Sequence, residues 1–109
     1  MADSRKSARR LALEESLAAD PTDAFLRYGL AMQCLRDGEV EEGRRMLESL
    51  IADHPDDQVP AYQQLGQSYM DEGDADRARI WFTLGIARAQ SVGDLKAAGE
   101  MQGFLELFG

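Results

Sequence analysis

Residues 62–82 read YQQLGQSYMDEGDADRARIWF, and this stretch decides the fold. Tyr62, Leu65, Gly66 and Tyr69 recur at spacings of three and four, which places them on one face of a helix. Asp71-Glu72-Gly73-Asp74 breaks the pattern; Gly73 is free to take the left-handed conformation that closes a helix. Asp74 or Asp76 then stands at the start of a second helix, where a carboxylate favours the helix dipole. Ala75, Ala78, Ile80, Trp81 and Phe82 resume the apolar pattern. Gly66 and Ala78 are small enough to let two helix backbones approach closely, with Tyr62, Leu65, Tyr69 and Phe82 filling the space around that approach. The stretch therefore encodes a helical hairpin.

Working toward the N-terminus, much of the same design appears one period earlier. Gly38 precedes Gly73 by 35 residues and Pro21 precedes Pro55 by 34. Ala31 and Gly43 keep the separation of twelve seen between Gly66 and Ala78. A helix over 22–36, capped by Thr22, carries Phe25, Leu26, Tyr28, Leu30, Ala31, Met32, Cys34 and Leu35; being apolar over most of its circumference, it is expected to be contacted on two sides. A helix over 39–53 is amphipathic through Val40, Met46, Leu47, Leu50 and Ile51. Further helices are expected over 59–71 and over 74–89. At the flanks, a helix over 3–19 starts from an Asp3 or Ser4 cap and stops at Asp20-Pro21. A last helix after Ser91-Val92-Gly93-Asp94 carries Ala97, Met101, Phe104, Leu105 and Phe108. Nothing alternates with a period of two over a useful length, so the class is all-α with about six helices.

A helical hairpin of this period resembles the tetratricopeptide repeat, whose pattern reads W-x2-L-G-x2-Y, then A-x3-F, then P. The second hairpin supplies Tyr62-x2-Leu65-Gly66-x2-Tyr69 and Ala78-x3-Phe82; Gln90 replaces the closing proline, so its second helix can run past the usual end. The first supplies Arg27-x2-Leu30-Ala31-x2-Cys34, Gly43-x3-Leu47 and Pro55. Arg27 and Cys34 depart from the pattern, which leaves open whether Phe25 and Tyr28 take over the aromatic packing and in which register the 22–36 helix sits. The resemblance implies antiparallel hairpins stacked as a short right-handed α-solenoid, one domain over 1–109. Its parts are a half-repeat helix over 1–19, repeats over 22–57 and 58–90, and a capping helix over 94–108. Two repeats fall below the usual three, so the terminal helices are expected to cover both ends.

Members of this family bind extended peptides or partner helices in a concave groove. Aligned on the prolines, the groove positions are Phe25, Tyr28, Gly29 and Met32 in one helix and Gln63, Gln64 and Gln67 in the next. Amides can bond a partner's backbone while rings and sulfur bury its side chains. The competing reading packs Phe25, Tyr28 and Met32 against the first helix. One subtype clamps a C-terminal carboxylate with Lys, Asn and Arg. This chain has no asparagine, and its lysines are Lys6 and Lys96, which argues against a chaperone's acidic tail as ligand. Trp81, next to the core residue Phe82, is expected to point toward the last helix. There, Met101, Phe104, Leu107 and Phe108 offer a large apolar surface, from which homodimerisation is the alternative function.

Composition narrows the partners. The net charge of −8, from 20 acidic and 12 basic residues, repels phosphate backbones and argues against nucleic acid. Arg5, Lys6, Arg9 and Arg10 make only the first dozen residues basic, a weak signal for an anionic surface. No apolar run has signal-peptide or membrane-span length, and the single cysteine, Cys34, fits a reducing compartment. A cytoplasmic location is the expectation. His54 with Asp53, Asp56 and Asp57 reads as a solvated turn rather than a metal site, and residues 71–76 lack the calcium-loop spacing. With no phosphate loop, dinucleotide fingerprint or nucleophile elbow, neither catalysis nor a cofactor is expected. The function read from the sequence is a scaffold that binds a protein or peptide partner.

Overall fold

A computed structural model describes residues 6–108. Six α-helices follow one another among them: α1 (Ala8–Ala19), α2 (Ala24–Arg36), α3 (Val40–Asp53), α4 (Val59–Asp71), α5 (Ala75–Val92) and α6 (Leu95–Glu106). They fall into two compact units, Met1–Leu50 and Ile51–Gly109.

The helix ends follow from side-chain caps. Ser7 caps α1 by accepting from the Arg10 amide; the expected caps Asp3 and Ser4 lie outside the described residues. Asp23, not Thr22, caps α2, its Oδ1 accepting from the Leu26 amide at 3.0 Å. A carboxylate at that position satisfies an orphan amide and also meets the positive end of the helix dipole. Asp74 and Asp94 repeat the device for α5 and α6. Gly38, Gly73 and Gly93 have φ of 85°, 82° and 82°. After each, the next amide bonds back to the carbonyl of Cys34, Tyr69 or Ala89 at 2.9, 2.9 and 2.8 Å. Helix α5 ends at Val92, three residues beyond the expected Ala89, because Gln90 keeps the amide that a proline would have removed.

In the first unit, Leu30, Ala31, Cys34, Leu47 and Leu50 are buried. A Cβ added at Gly43 would stand 2.8 Å from the Leu35 Cδ2 and 3.0 Å from the Ala31 carbonyl oxygen, so α2 and α3 approach at the expected pair. That fixes the register of α2. Burial pushes the Cys34 thiol above its usual pKa, and its sulfur lies 3.9 Å from the Met46 sulfur; the residue is core. Helix α1 is joined to α2 by polar groups. The Ser7 hydroxyl donates to Asp37 at 3.0 Å, and the Gln33 amide donates to the other Asp37 oxygen at 2.9 Å. Arg10, only 6% exposed, donates from Nε to Glu14 at 3.3 Å and lies 3.8 Å from Glu39.

The second unit is built around α5. Its buried face, Ala78, Phe82, Gly85 and Ala89, meets α4 on one side and α6 on the other. At Gly66 an added Cβ would stand 2.6 Å from the Phe82 ring; at Gly85 it would stand 2.5 Å from the Met101 sulfur and 2.8 Å from the Tyr62 Cβ. Gly85, like Phe82, is thus a point where α5 touches both neighbours. Phe104 stacks on Phe82 with ring centroids 5.1 Å apart and planes at 14°, and Phe108 closes the cluster at 6.5 Å.

Candidate interaction surfaces

The first unit carries one of the two expected faces. Phe25 is 84% exposed, while Tyr28 and Met32, one and two turns along α2, are half-buried. At 84% exposure Phe25 does not pack against α1. Gly29, expected to face the groove, instead faces the first helix: its Cβ position lies 3.5 Å from the Leu13 Cδ2. That distance is ordinary van der Waals contact, so Leu13 of α1 packs directly over the backbone of α2 at this point.

The second unit carries the other face. Gln63 and Gln64 are half-buried and line an open hollow of about 240 Å³ with Pro60, Asp94, Lys96, Ala97 and Glu100. Gln67, one turn further, is half-buried but does not line it. The opposite side of α4, bearing Ala61, Tyr62, Leu65 and Gly66, is buried, so the three glutamines occupy the side that the core does not consume.

The apolar set of α6 is mostly used internally. Met101 is fully buried and cannot belong to a surface patch, because Gly85 admits its sulfur. Phe104 and Phe108 are half-buried against Phe82, with the Arg79 guanidinium 5.4 Å over the Phe108 ring. Leu107 remains 74% exposed. Trp81 does not turn toward α6; its indole lies 6.2 Å from the Tyr62 ring at 53°. Residue 82 faces α6, and the next-door position on a helix is rotated by about 100°.

Two hollows escape a motif-based reading. One, of about 250 Å³, is lined by Leu17, Pro21, Arg27, Glu42, Arg45, Met46 and Ser49. The other, of about 390 Å³, is lined by Ile51, Tyr62, Trp81, Leu84, Ala87, Arg88 and Ser91. They occupy equivalent places in the two repeats, since Leu17, Arg27, Met46 and Ser49 precede Ile51, Tyr62, Trp81 and Leu84 by 34 or 35 residues. The first sets charged residues among Leu17, Pro21 and Met46, with Arg27 donating to Ser49 at 3.1 Å and Arg45 beside Glu42 at 3.3 Å; the second is aromatic, with Tyr62 and Trp81 in its lining. Arg27, a departure from the repeat pattern, was the signal in the sequence that these places differ.

Among the described residues no group of three or more His, Cys, Asp and Glu could hold a metal ion. Asp56, beside His54, accepts from Arg88 at 2.7 Å instead. No described helix is long and apolar enough to cross a membrane.

Comparison with known proteins agrees with this architecture. A family model described as tetratricopeptide repeat matches residues 10–69. A TPR repeat-containing protein of Pseudomonas aeruginosa is 32% identical over 93 residues, covering 85% of this chain and 88% of its own length. The mouse interferon-induced protein with tetratricopeptide repeats 3 is 33% identical over 67 residues, 62% of this chain; the match spans only 16% of the mouse protein. No solved structure matches. The repeated hairpins, their small-residue contacts and these similarities agree: the chain belongs to the tetratricopeptide repeat family.

Proposed function

We propose that this chain is a protein-binding scaffold without catalytic chemistry, recognising partners through the exposed Phe25 end of α2 with the half-buried Tyr28 and Met32 beyond it, and through the glutamine side of α4. Tetratricopeptide repeats are in general protein-interaction modules, and the residues of this chain suit that role. The observation that carries the reading is the row Phe25, Tyr28 and Met32, three to four residues apart, which begins on a ring 84% exposed. An aromatic ring gives a large contact area with few rotors to freeze, and a flexible thioether adapts its shape to the partner. On α4, Gln63, Gln64 and Gln67 each offer a donor pair and an acceptor, the groups needed to bond an extended backbone.

Capture from an extract of the native cell tests this, comparing the parent chain with Phe25→Ala, Tyr28→Ala and Gln67→Ala. Phe25→Ala is expected to leave the melting midpoint unchanged while depleting the captured partner. Retention of the same partner by all three variants overturns the assignment of these faces.

A further inference from the structure

Helix α6 has two unlike sides. Ala97, Ala98 and Met101 are buried. Leu95, Gly99, Gly103 and Leu107, spaced by four, lie on the opposite side, since Met101 is about 200° around the helix from each glycine. Leu95 and Leu107 are 72% and 74% exposed. Leu107 keeps helical backbone, with φ −70° and ψ −18°, so the row runs unbroken to its last member. Two glycines inside a helix weaken it relative to alanine. Every other described glycine either meets a neighbouring side chain or has positive φ, whereas a Cβ added at Gly99 or Gly103 would meet nothing within 4 Å. Among the described residues, nothing uses the space that these two leave.

The row is complementary to itself. Rows of residues four apart interdigitate when two helices cross at about −50°, and small residues in them let the backbones approach. With a second copy antiparallel about a two-fold axis, Leu95 of each copy meets Leu107 of the other and Gly99 meets Gly103. Charge agrees with that arrangement. Two chains of net charge −8 repel overall, so a face on which they meet needs local balance. Lys96 and Glu100 are exposed on one flank of the row, about 40° and 80° from its centre, and no ion pair joins them to a described residue. The crossing carries Lys96 of each copy to Glu100 of the other. On the opposite flank Glu106 meets the uncharged Gln102.

We propose that this outward side of α6 is a homodimer interface, and that its occupant is α6 of a second copy of this chain. It is not the aromatic side of α6, which packs on Phe82, and it leaves the α2 row free. Lys96 and Glu100 also line the glutamine hollow, so the second copy stands at the rim of that hollow.

Sedimentation equilibrium of the full chain from about 1 μM to about 1 mM covers the affinities expected of so small a contact, and is expected to show a monomer passing to a dimer. Gly103→Gln places a side chain in the row where the single chain has open space. It is expected to keep or raise the melting midpoint and to hold the mass at that of a monomer throughout. A merely structural role for Gly103 would not give that combination. Lys96→Glu and Glu100→Lys are each expected to weaken association about tenfold, since the two-fold axis counts each change twice, and the two together to restore it. Phe25→Ala is expected to leave the mass unchanged, which separates this interface from the partner-binding face of α2. A parent chain that stays monomeric, or a dimer that survives Gly103→Gln, overturns the proposal. So does a double charge exchange that associates no better than the single ones, or a dimer lost on Phe25→Ala.

Discussion

The α2–α3 hairpin and the α4–α5 hairpin solve one packing problem with the parts exchanged. In the first, alanine sits on the leading helix and glycine on the following one, Ala31 and Gly43; in the second the order is Gly66 and Ala78. The large residue opposite changes with them. Leu47 is fully buried in the first hairpin, and Phe82 is fully buried in the second. The ring of Phe82 fits because Gly66 has no Cβ. In the first hairpin the smaller, branched Leu47 stands at the repeat position of Phe82 and Ala31 at that of Gly66, while Gly43 is the residue that admits the Leu35 side chain. The lesson is that the repeat conserves a filled volume, not an identity at each position, which is why a degenerate hairpin and a good one can share a backbone design.

Several experiments bear on that comparison. The largest effect is expected from Phe82→Ala, at about 4 kcal/mol of unfolding free energy, against about 3 kcal/mol for Leu47→Ala, measured by denaturant titration. Equal losses, or a larger one at Leu47, would break the asymmetry. Phe104→Asp is expected to cost about 2 kcal/mol, because it removes the ring stacked on Phe82 and puts a carboxylate there. Its sedimentation should match that of the parent; a change in mass would restore the aromatic side of α6 as a dimer surface.

Gly66→Ala is expected to cost about 2 kcal/mol through overpacking against Phe82. Adding Phe82→Leu converts the second hairpin's pair into the first hairpin's pair. The double variant should therefore lose about 1 kcal/mol less than the sum of the two single changes. Strict additivity would show that the two positions are not coupled.

The smallest effect concerns the terminal helices, which are attached by different forces. Helix α6 rests on Met101, Phe104 and Phe108, whereas α1 adds polar ties, Ser7 to Asp37 and Arg10 to Glu39, to the contact of Leu13 with Gly29, and Glu14 holds Arg10 from within α1. Hydrogen bonding from Lys6, aided by Arg10, holds the Glu14 carboxyl below its ordinary pKa. Its folded value lies below the unfolded one, so this stabilisation is complete above the unfolded value and is lost as pH falls through the folded one. Glu14→Gln is expected to make the melting midpoint less sensitive to acid between neutral pH and about pH 3. The effect is modest because the Lys6 side chain is 42% exposed. An unchanged pH dependence would remove Glu14 from the attachment of α1.

Much of the architecture was legible along the chain, since helix periodicity, aspartate caps and positive-φ glycines are local properties. The hairpin contacts were legible too, because small residues twelve apart can meet only if the chain doubles back at the intervening glycine. Helix ends slipped where two capping groups compete, as Thr22 and Asp23 do. The candidate surfaces were harder to read. Phe25 and Met101 are both apolar residues on amphipathic helices, yet one is 84% exposed and the other fully buried. Nothing in their own spacing separates them. Met101 is inside because a glycine 16 positions earlier leaves room for its sulfur.

Sequence alone thus specified the six helices, their turns and the repeat that pairs them, because those follow from local backbone preferences and a fixed period. Packing in three dimensions assigned the roles. It put Gly29 under Leu13 and Gly85 between two helices, turned Trp81 away from α6, and consumed most of the apolar surface expected at the C-terminus. It also opened an aromatic hollow beside Arg88 that no linear motif marks. The reason is steric: which face of a helix remains for a partner depends on what its neighbours have already filled.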